Sequence, residues 1–332
     1  MADSPQTAHE AAKATSSTTP ARHPRLEIID LARAVALVAM ASYHFLWDLE
    51  LFEYLPAGYS TQGWPRFYAR SIASSFLFLV GVSLVLAHWP TFRARGFLYR
   101  LGLVAGAAAC ISAATYVFMP DAFIFYGILH AIAVASVLGL AFLRLPPLVT
   151  LAAAVAVIAL PQFFRAEIFS SPLLVWTGLA PVAPRSNDFV PLFPWFGAVL
   201  VGIATARVAE SAGWFNRLAR WQPAPGGWLR RFGFIGRHSL AFYLLHQPVL
   251  ITIVWAWSLV SPPDFEAAYR QGCVQACSEI ESAEMCPRFC GCVTETLIAQ
   301  GLLEGLRDGS LDPQSGPVSA IVAQCTDAAR AP

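Results

Sequence analysis

The segment IIDLARAVALVAMASYHFLWDLE, residues 28–50, decides the fold class. It is long and apolar enough to cross a bilayer, which takes about 20 mainly apolar residues in a helix. Yet it carries Arg33, His44 and Asp48. Polar groups in hydrocarbon are costly, and inside spans they face a bundle interior or an aqueous cavity. Arg33 and His44 are eleven residues apart, which returns to within ~20° of the same helical direction, and His44 and Asp48 are one turn apart. One face of this helix therefore carries Arg33 near its start, His44 about two-thirds of the way along and Asp48 at its outer edge. A structural reading stands beside this: Arg33 paired with Asp30 at the interface, and Asp48 at the water boundary.

The rest of the chain supports the membrane reading. Of 332 residues, 56% are hydrophobic and 13% charged, roughly half the charge of a soluble domain. The net charge of +1 implies no nucleic acid or other acidic polymer as partner. Seven candidate spans fall at about 28–48, 68–88, 97–118, 122–143, 147–164, 189–209 and 238–260. Breakers part them: HWP at 88–90, MPD at 119–121, RLPP at 144–147 and QPAPGG at 222–227. Pro194 and Pro248 lie inside spans, where kinks are tolerated. The expected fold is an all-α integral membrane protein, a bundle of about seven transmembrane helices with a small disulfide-stapled helical tail. The chain divides into a disordered cytosolic leader at 1–25, a transmembrane domain at 26–260 and a cysteine-rich tail at 261–332.

Arginine placement orients the bundle. Lys13, Arg22 and Arg25 precede the first span, Arg93, Arg95 and Arg100 follow the second, Arg144 follows the fourth, and Arg207 to Arg237 lie around the sixth loop. The alternate loops hold only Arg66, Arg70, Arg165 and Arg185. The N-terminus is thus expected in the cytosol and the C-terminus outside.

Six of the seven cysteines follow residue 270, an even count that suits disulfides in an oxidising compartment. Their spacing is not a usual zinc spacing, and no metal site is expected. The stretches 267–280 and 287–306 read as two helices with cysteines at four-residue spacing. Folded as an antiparallel hairpin they pair Cys277–Cys286 and Cys273–Cys290, leaving Cys292 to capture Cys325. Cys110, in mid-span, is expected in the core.

Three further polar groups sit with the first helix. His130 lies in FYGILHAIA about eight residues below the start of the fourth span, and His246 lies near the middle of the seventh, in GRHSLAFYLLHQP. Asp188 stands in SNDFVPLFPW at the outer mouth of the sixth. Histidine titrates near neutrality and suits general-base work on an amine or hydroxyl.

Five motifs in order, IIDLARAVALVAMASYHFLWDL, SSFLFLVGVSLVLAH, YGILHAIAVASVLG, NDFVPLFPWFG and GRHSLAFYLLHQPVL, resemble the heparan-α-glucosaminide N-acetyltransferase family of membrane acyltransferases, and most closely its bacterial branch. The resemblance covers about residues 25–258. It implies a multi-pass protein of the bacterial inner membrane that passes an acetyl or other short acyl group from cytosolic acetyl-CoA or another acyl-CoA to an amino sugar or hydroxyl of a glycan or lipid acceptor outside. Two departures stand out. The family's first helix often reads D-x-x-R-G, whereas Ala34 follows Arg33 here. Its lysosomal member places an important histidine in the outer loop after this helix, but residues 49–67 hold none, and His44 is the substitute.

On this reading His44 is the base, oriented by Asp48 or Asp188, and His130 or His246 polarises the thioester carbonyl or shares the proton. Arg33, Arg100, Arg237 and His238, at cytosolic span ends, bind the donor's phosphates. No permanently bound cofactor is expected. The partners are the lipid bilayer, acyl-CoA, the glycan or lipid acceptor, and a second copy of the chain as a candidate homodimer. Two other classes compete: a proton-coupled transporter, disfavoured by the odd span count and absence of repeats, and a non-catalytic anchor displaying the tail.

Overall fold

A computed structural model describes residues 26–221, 227–278, 280–282 and 284–330. The leader and most of the QPAPGG break lie outside them. Among the described residues every regular element is a helix. The bundle comprises α1 Glu27–Leu51, α2 Gly63–His88, α3 Ala94–Phe118, α4 Ile128–Gly139, α5 Pro147–Phe163, α6 Leu192–Ser211, α7 Trp214–Leu218, α8 Trp228–Arg237 and α9 Ser239–Val260. The tail follows as α10 Phe265–Cys277, α11 Met285–Ala299, α12 Leu303–Arg307 and α13 Gly316–Arg330.

Among the described residues, α1, α2, α3, α6 and α9 are long and apolar enough to span a membrane, while α4 and α5 are apolar but shorter. Only 11% of the most apolar stretch of α3, and of α9, is buried inside the protein. Such outward apolar surface suits lipid, not water. Cys110 belongs to it: the expectation of a core position fails because α3 turns that side outward.

The core forms where α6 packs between α2 and α5, with α4 alongside. Val199, Leu200 and Ile203 of α6 are fully buried. Glycine sets the α2–α6 spacing: a Cβ on Gly81 would lie 2.9 Å from the Ile203 nitrogen, and one on Gly202 would collide with the Phe78 carbonyl. Small residues at such crossings let backbones approach, the usual source of helix packing in lipid.

The fourth span was expected at 122–143, but its helix starts only at Ile128. The preceding FIFY runs irregularly because its polar groups find other partners. Ile124 N–H donates to the Thr115 hydroxyl at 3.0 Å, and the Phe123 and Tyr126 carbonyls accept from the Ser186 hydroxyl and Val190 N–H. The sixth loop was expected as a connector, yet 228–237 forms α8. WLRRFGFIGR segregates Arg230, Arg231 and Arg237 from its apolar side, and that helix packs along the start of α1. At their crossing a Cβ on Gly236 would collide with the Asp30 carbonyl, beside the fully buried Ala34.

The tail is a hairpin of α10 and α11 with α13 across it. Disulfides join Cys273 to Cys290, Cys277 to Cys286 and Cys292 to Cys325. The second tail helix, expected to run over 287–306, stops at Ala299 because Gly301 turns the chain at φ +67°. Leu297, Leu303, Val318 and Ile321 build a small core. The tail rests on the α1–α2 loop: Gln275 Nε2 donates to Gln62 Oε1 at 2.9 Å, Arg307 pairs with Glu53 at 3.0 Å, and the Tyr54 hydroxyl donates to the Ser261 carbonyl.

Candidate functional site

The α1–α2 loop folds back over the end of α1. Its Gly58 and Ser60 N–H groups donate to the Glu50 carboxylate at 2.6 and 2.7 Å, and the Ser60 carbonyl accepts from the Tyr43 hydroxyl at 3.2 Å. Under this cover Asp48 is fully buried. The alternative reading, with Asp48 simply at the water boundary, is thereby corrected. Helix α9 runs beside α1, and Gln247 Nε2 donates to Asp48 Oδ1 at 2.6 Å. The other carboxylate oxygen, Oδ2, is buried without a hydrogen-bond partner among the described residues.

One turn earlier on α1, the His44 ring meets the His246 ring edge-on, with centroids 4.8 Å apart. His246 Nδ1 lies 2.7 Å from the Tyr243 carbonyl. A carbonyl only accepts, so Nδ1 carries the proton, and in the neutral ring Nε2 holds the lone pair. That Nε2 is buried and has no partner among the described residues. A buried acceptor left open in this way is what a proton-accepting catalyst presents before its substrate arrives.

His130 and Asp188 meet at the start of α4. Gly127 N–H donates to His130 Nδ1 at 3.2 Å. The other ring nitrogen lies 3.2 Å from Ser112 Oγ, whose proton goes to the Ile124 carbonyl at 2.6 Å. Nε2–H is therefore the donor, and both ring nitrogens of His130 are engaged. Asp188 Oδ2 accepts from Ile128 N–H at 2.8 Å, capping α4 from the loop ahead of α6. Its carboxylate presses against Gly127, where any Cβ would collide with it. Burial pushes the Asp188 carboxyl up to about 6, offset in part by the Ile128 bond. Its charge acts on the hydroxyls of Tyr43 and Tyr243, and Tyr243 also packs 5.6 Å from His246. Tyr243 also packs on the cluster of Ala107, Ala108 and Leu129, and so touches both the start of α4 and the histidine pair.

The arginines divide. Arg33 and Arg100 line one cleft of about 130 Å³, at the end where α1 and α3 begin and α2 finishes, together with Ser83, His88, Ser136 and Ser239. Arg33 donates to Ser83 Oγ at 2.5 Å and pairs with the buried Asp30 at 3.2 Å. Arg237 and His238 do not line it. Arg237 pairs with Glu27 at 3.7 Å, and His238 packs on Phe234 with ring centroids 4.1 Å apart. The helical break at His238 thus leaves Arg237 on Glu27 of α1 and His238 on Phe234 of α8.

Sequence reasoning passed over Tyr43, Tyr243, Gln247 and His88. Two signals were available: Tyr243 lies three residues before His246, hence on its face, and Gln247 adjoins it. His88 closes the second family motif and opens the HWP breaker, and neither reading gives it a role.

A family model for the catalytic region of heparan-alpha-glucosaminide N-acetyltransferase matches residues 25–248. The chain belongs to this family. The match spans the first helix through His246 and Gln247, and so takes in every group described above, while ending before the tail. No curated protein and no solved structure matches the chain. Membership supports a membrane acetyltransferase-type function for this family member.

Proposed function

We propose that this protein takes an acyl group from cytosolic acyl-CoA and transfers it to an amino or hydroxyl group of a glycan or lipid acceptor on the opposite side of the membrane. The observation that carries this reading is the open, buried Nε2 of His246 packed against His44, about 16 Å along α1 from the arginine cleft (eleven residues at 1.5 Å each). The donor's phosphates are held by Arg33 and Arg100, and its extended arm brings the thioester to the histidine pair. His246 Nε2 accepts the proton of the acceptor as its nitrogen or oxygen attacks the thioester carbonyl. The carbon–sulfur bond breaks, and the thiolate leaves and is protonated. His44 crowds His246 and orients it. Asp48 and Gln247 tie α9 to α1 so that the pair keeps its spacing. Asp188 and His130 fix the start of α4 behind Tyr43 and Tyr243.

Arg93, Arg100, Arg144 and Arg207 at the cleft end support a cytosolic placement of that end. The stapled tail then lies outside, over the acceptor entrance. Purified protein with labelled acetyl-CoA and a panel of amino sugars and lipid-linked glycans, read by product mass, tests the reaction. Absence of any acetylated product across that panel, with acetyl-CoA unhydrolysed, would count against it. A reporter fused after the tail, active only outside the cytosol, tests sidedness.

A further inference from the structure

The segment joining α1 to α2 covers the end of α1 that carries Asp48, one turn beyond the histidine pair. Glu53 begins it at φ +64°, and Gly63 ends it at φ +50°. Glycine adopts such a backbone freely, whereas a residue with a side chain does so at a cost. Among the described residues Glu53 is the one non-glycine residue with positive φ. It closes α1 where a glycine commonly stands: the Tyr54 N–H donates back to the Leu49 carbonyl at 2.8 Å. At the other end, a Cβ on Gly63 would meet nothing within 4 Å. The segment 53–63 therefore lies between two turning points.

The tail grips it near both ends. Arg307 pairs with Glu53 at 3.0 Å, and Gln275 donates to Gln62 at 2.9 Å. Staples set both tail groups. Gln275 lies between Cys273 and Cys277, each disulfide-bonded, and Arg307 lies inside the loop closed by Cys292 and Cys325. The Arg307 guanidinium also sits over Phe265 at 5.3 Å, which ties α12 to the start of α10. The Arg307 and Glu53 side chains are 44% and 30% exposed, so their pair adds little to global stability. A contact of that kind breaks locally while the rest of the fold stays closed. We propose that the α1–α2 segment is a gate over the histidine pair and that the stapled tail is its latch, through Arg307 on Glu53 and Gln275 on Gln62. This rests on the acyl-transfer reading and deepens it: the closed gate keeps water from the donor's thioester, and its release admits the acceptor.

The test uses detergent-purified full-length protein and acetyl-CoA alone, with no acceptor present. Deuterium exchange is followed in peptides covering 52–62, together with acetyl-CoA hydrolysis, acetyl-CoA binding and thermal unfolding. Arg307→Ala should raise both the exchange and the hydrolysis about ten-fold, with acetyl-CoA affinity and the thermal midpoint unchanged. Glu53→Gln, on the other side of the pair, should do the same, and combining the two should add nothing further. Arg307→Lys, which keeps the charge, should retain most of the protection. Exchange in 52–62 that neither Arg307→Ala nor Glu53→Gln alters in folded protein would overturn the latch. Faster exchange with hydrolysis unaltered, in protein that binds acetyl-CoA, would show that the segment gates nothing and would overturn the proposal while leaving the acyl-CoA reading in place. Failure of wild type to bind acetyl-CoA at all would overturn both.

Discussion

Gln247 and Asp48 form a buried amide–carboxylate bond of 2.6 Å between α9 and α1, 199 positions apart in sequence. It lies one helical turn from the contact between His44 and His246, so the spacing of the histidine rings depends on it. Removing one partner strands the other without water, which costs about 1–3 kcal/mol. Asp48→Ala and Gln247→Ala should each lower the thermal midpoint in detergent by several degrees, and the double variant should cost clearly less than their sum. Additive losses would show that the two groups do not act as a unit.

His246→Ala should slow transfer about 10²–10⁴-fold, roughly 3–5 kcal/mol of barrier, with acyl-CoA affinity retained. His44→Ala should also slow it, and the double variant should be little worse than His246→Ala alone. A wild-type single-turnover rate in His246→Ala would place the base elsewhere.

His130 offers a contrast. Both ring nitrogens already serve hydrogen bonds at the start of α4. His130→Ala should therefore act mainly on stability, by about 1–2 kcal/mol, and leave the pH profile of transfer unshifted. A changed profile in folded protein would give His130 a direct part in proton transfer.

Arg100 and Arg237 separate donor binding from helix anchoring. Arg100→Ala should raise KM for acyl-CoA about ten-fold with kcat nearly unchanged, because a remote phosphate contact contributes alike to ground and transition states. Arg237→Ala should leave KM as it was, since its partner is Glu27 and it does not line the cleft. Arg33 is the poorer probe, because its removal also breaks the ion pair to the buried Asp30.

Asp188 gives a pH test. Burial lifts its carboxyl to about 6 in the folded protein, against about 3.9 in an unfolded chain. Between those values the folded state holds the proton more tightly. Stability from this group is thus fully present below about pH 4 and declines as pH rises through 6. The thermal midpoint of wild type should fall over that window relative to Asp188→Asn, which keeps an oxygen for Ile128 N–H but has no charge to bury. Parallel midpoints would show that Asp188 titrates normally.

The all-helical membrane class was legible because continuous apolar runs leave few alternatives once water is excluded: α1, α2, α3, α6 and α9 are visible as composition alone. The cysteine-rich end announced disulfides by count and setting. Other features needed the fold. FIFY reads as apolar span, yet it is irregular, since Ser112, Thr115, Ser186 and Val190 from elsewhere satisfy its backbone. WLRRFGFIGR reads as a basic loop, yet it forms α8, because Gly236 lets it lie on the Asp30 carbonyl.

Helical periodicity alone placed Arg33, His44 and Asp48 on one face, since a helix fixes direction by residue count. Periodicity has no term for what lies opposite that face. Only tertiary packing set His246 against His44, buried Asp48 under its loop and gave it Gln247. The same packing engaged both nitrogens of His130 while leaving one of His246 open, and drew Arg100 into the cleft while turning Arg237 to Glu27. Each outcome depends on contacts between segments far apart in the chain, where burial and the available hydrogen-bond partners decide what a side chain can do.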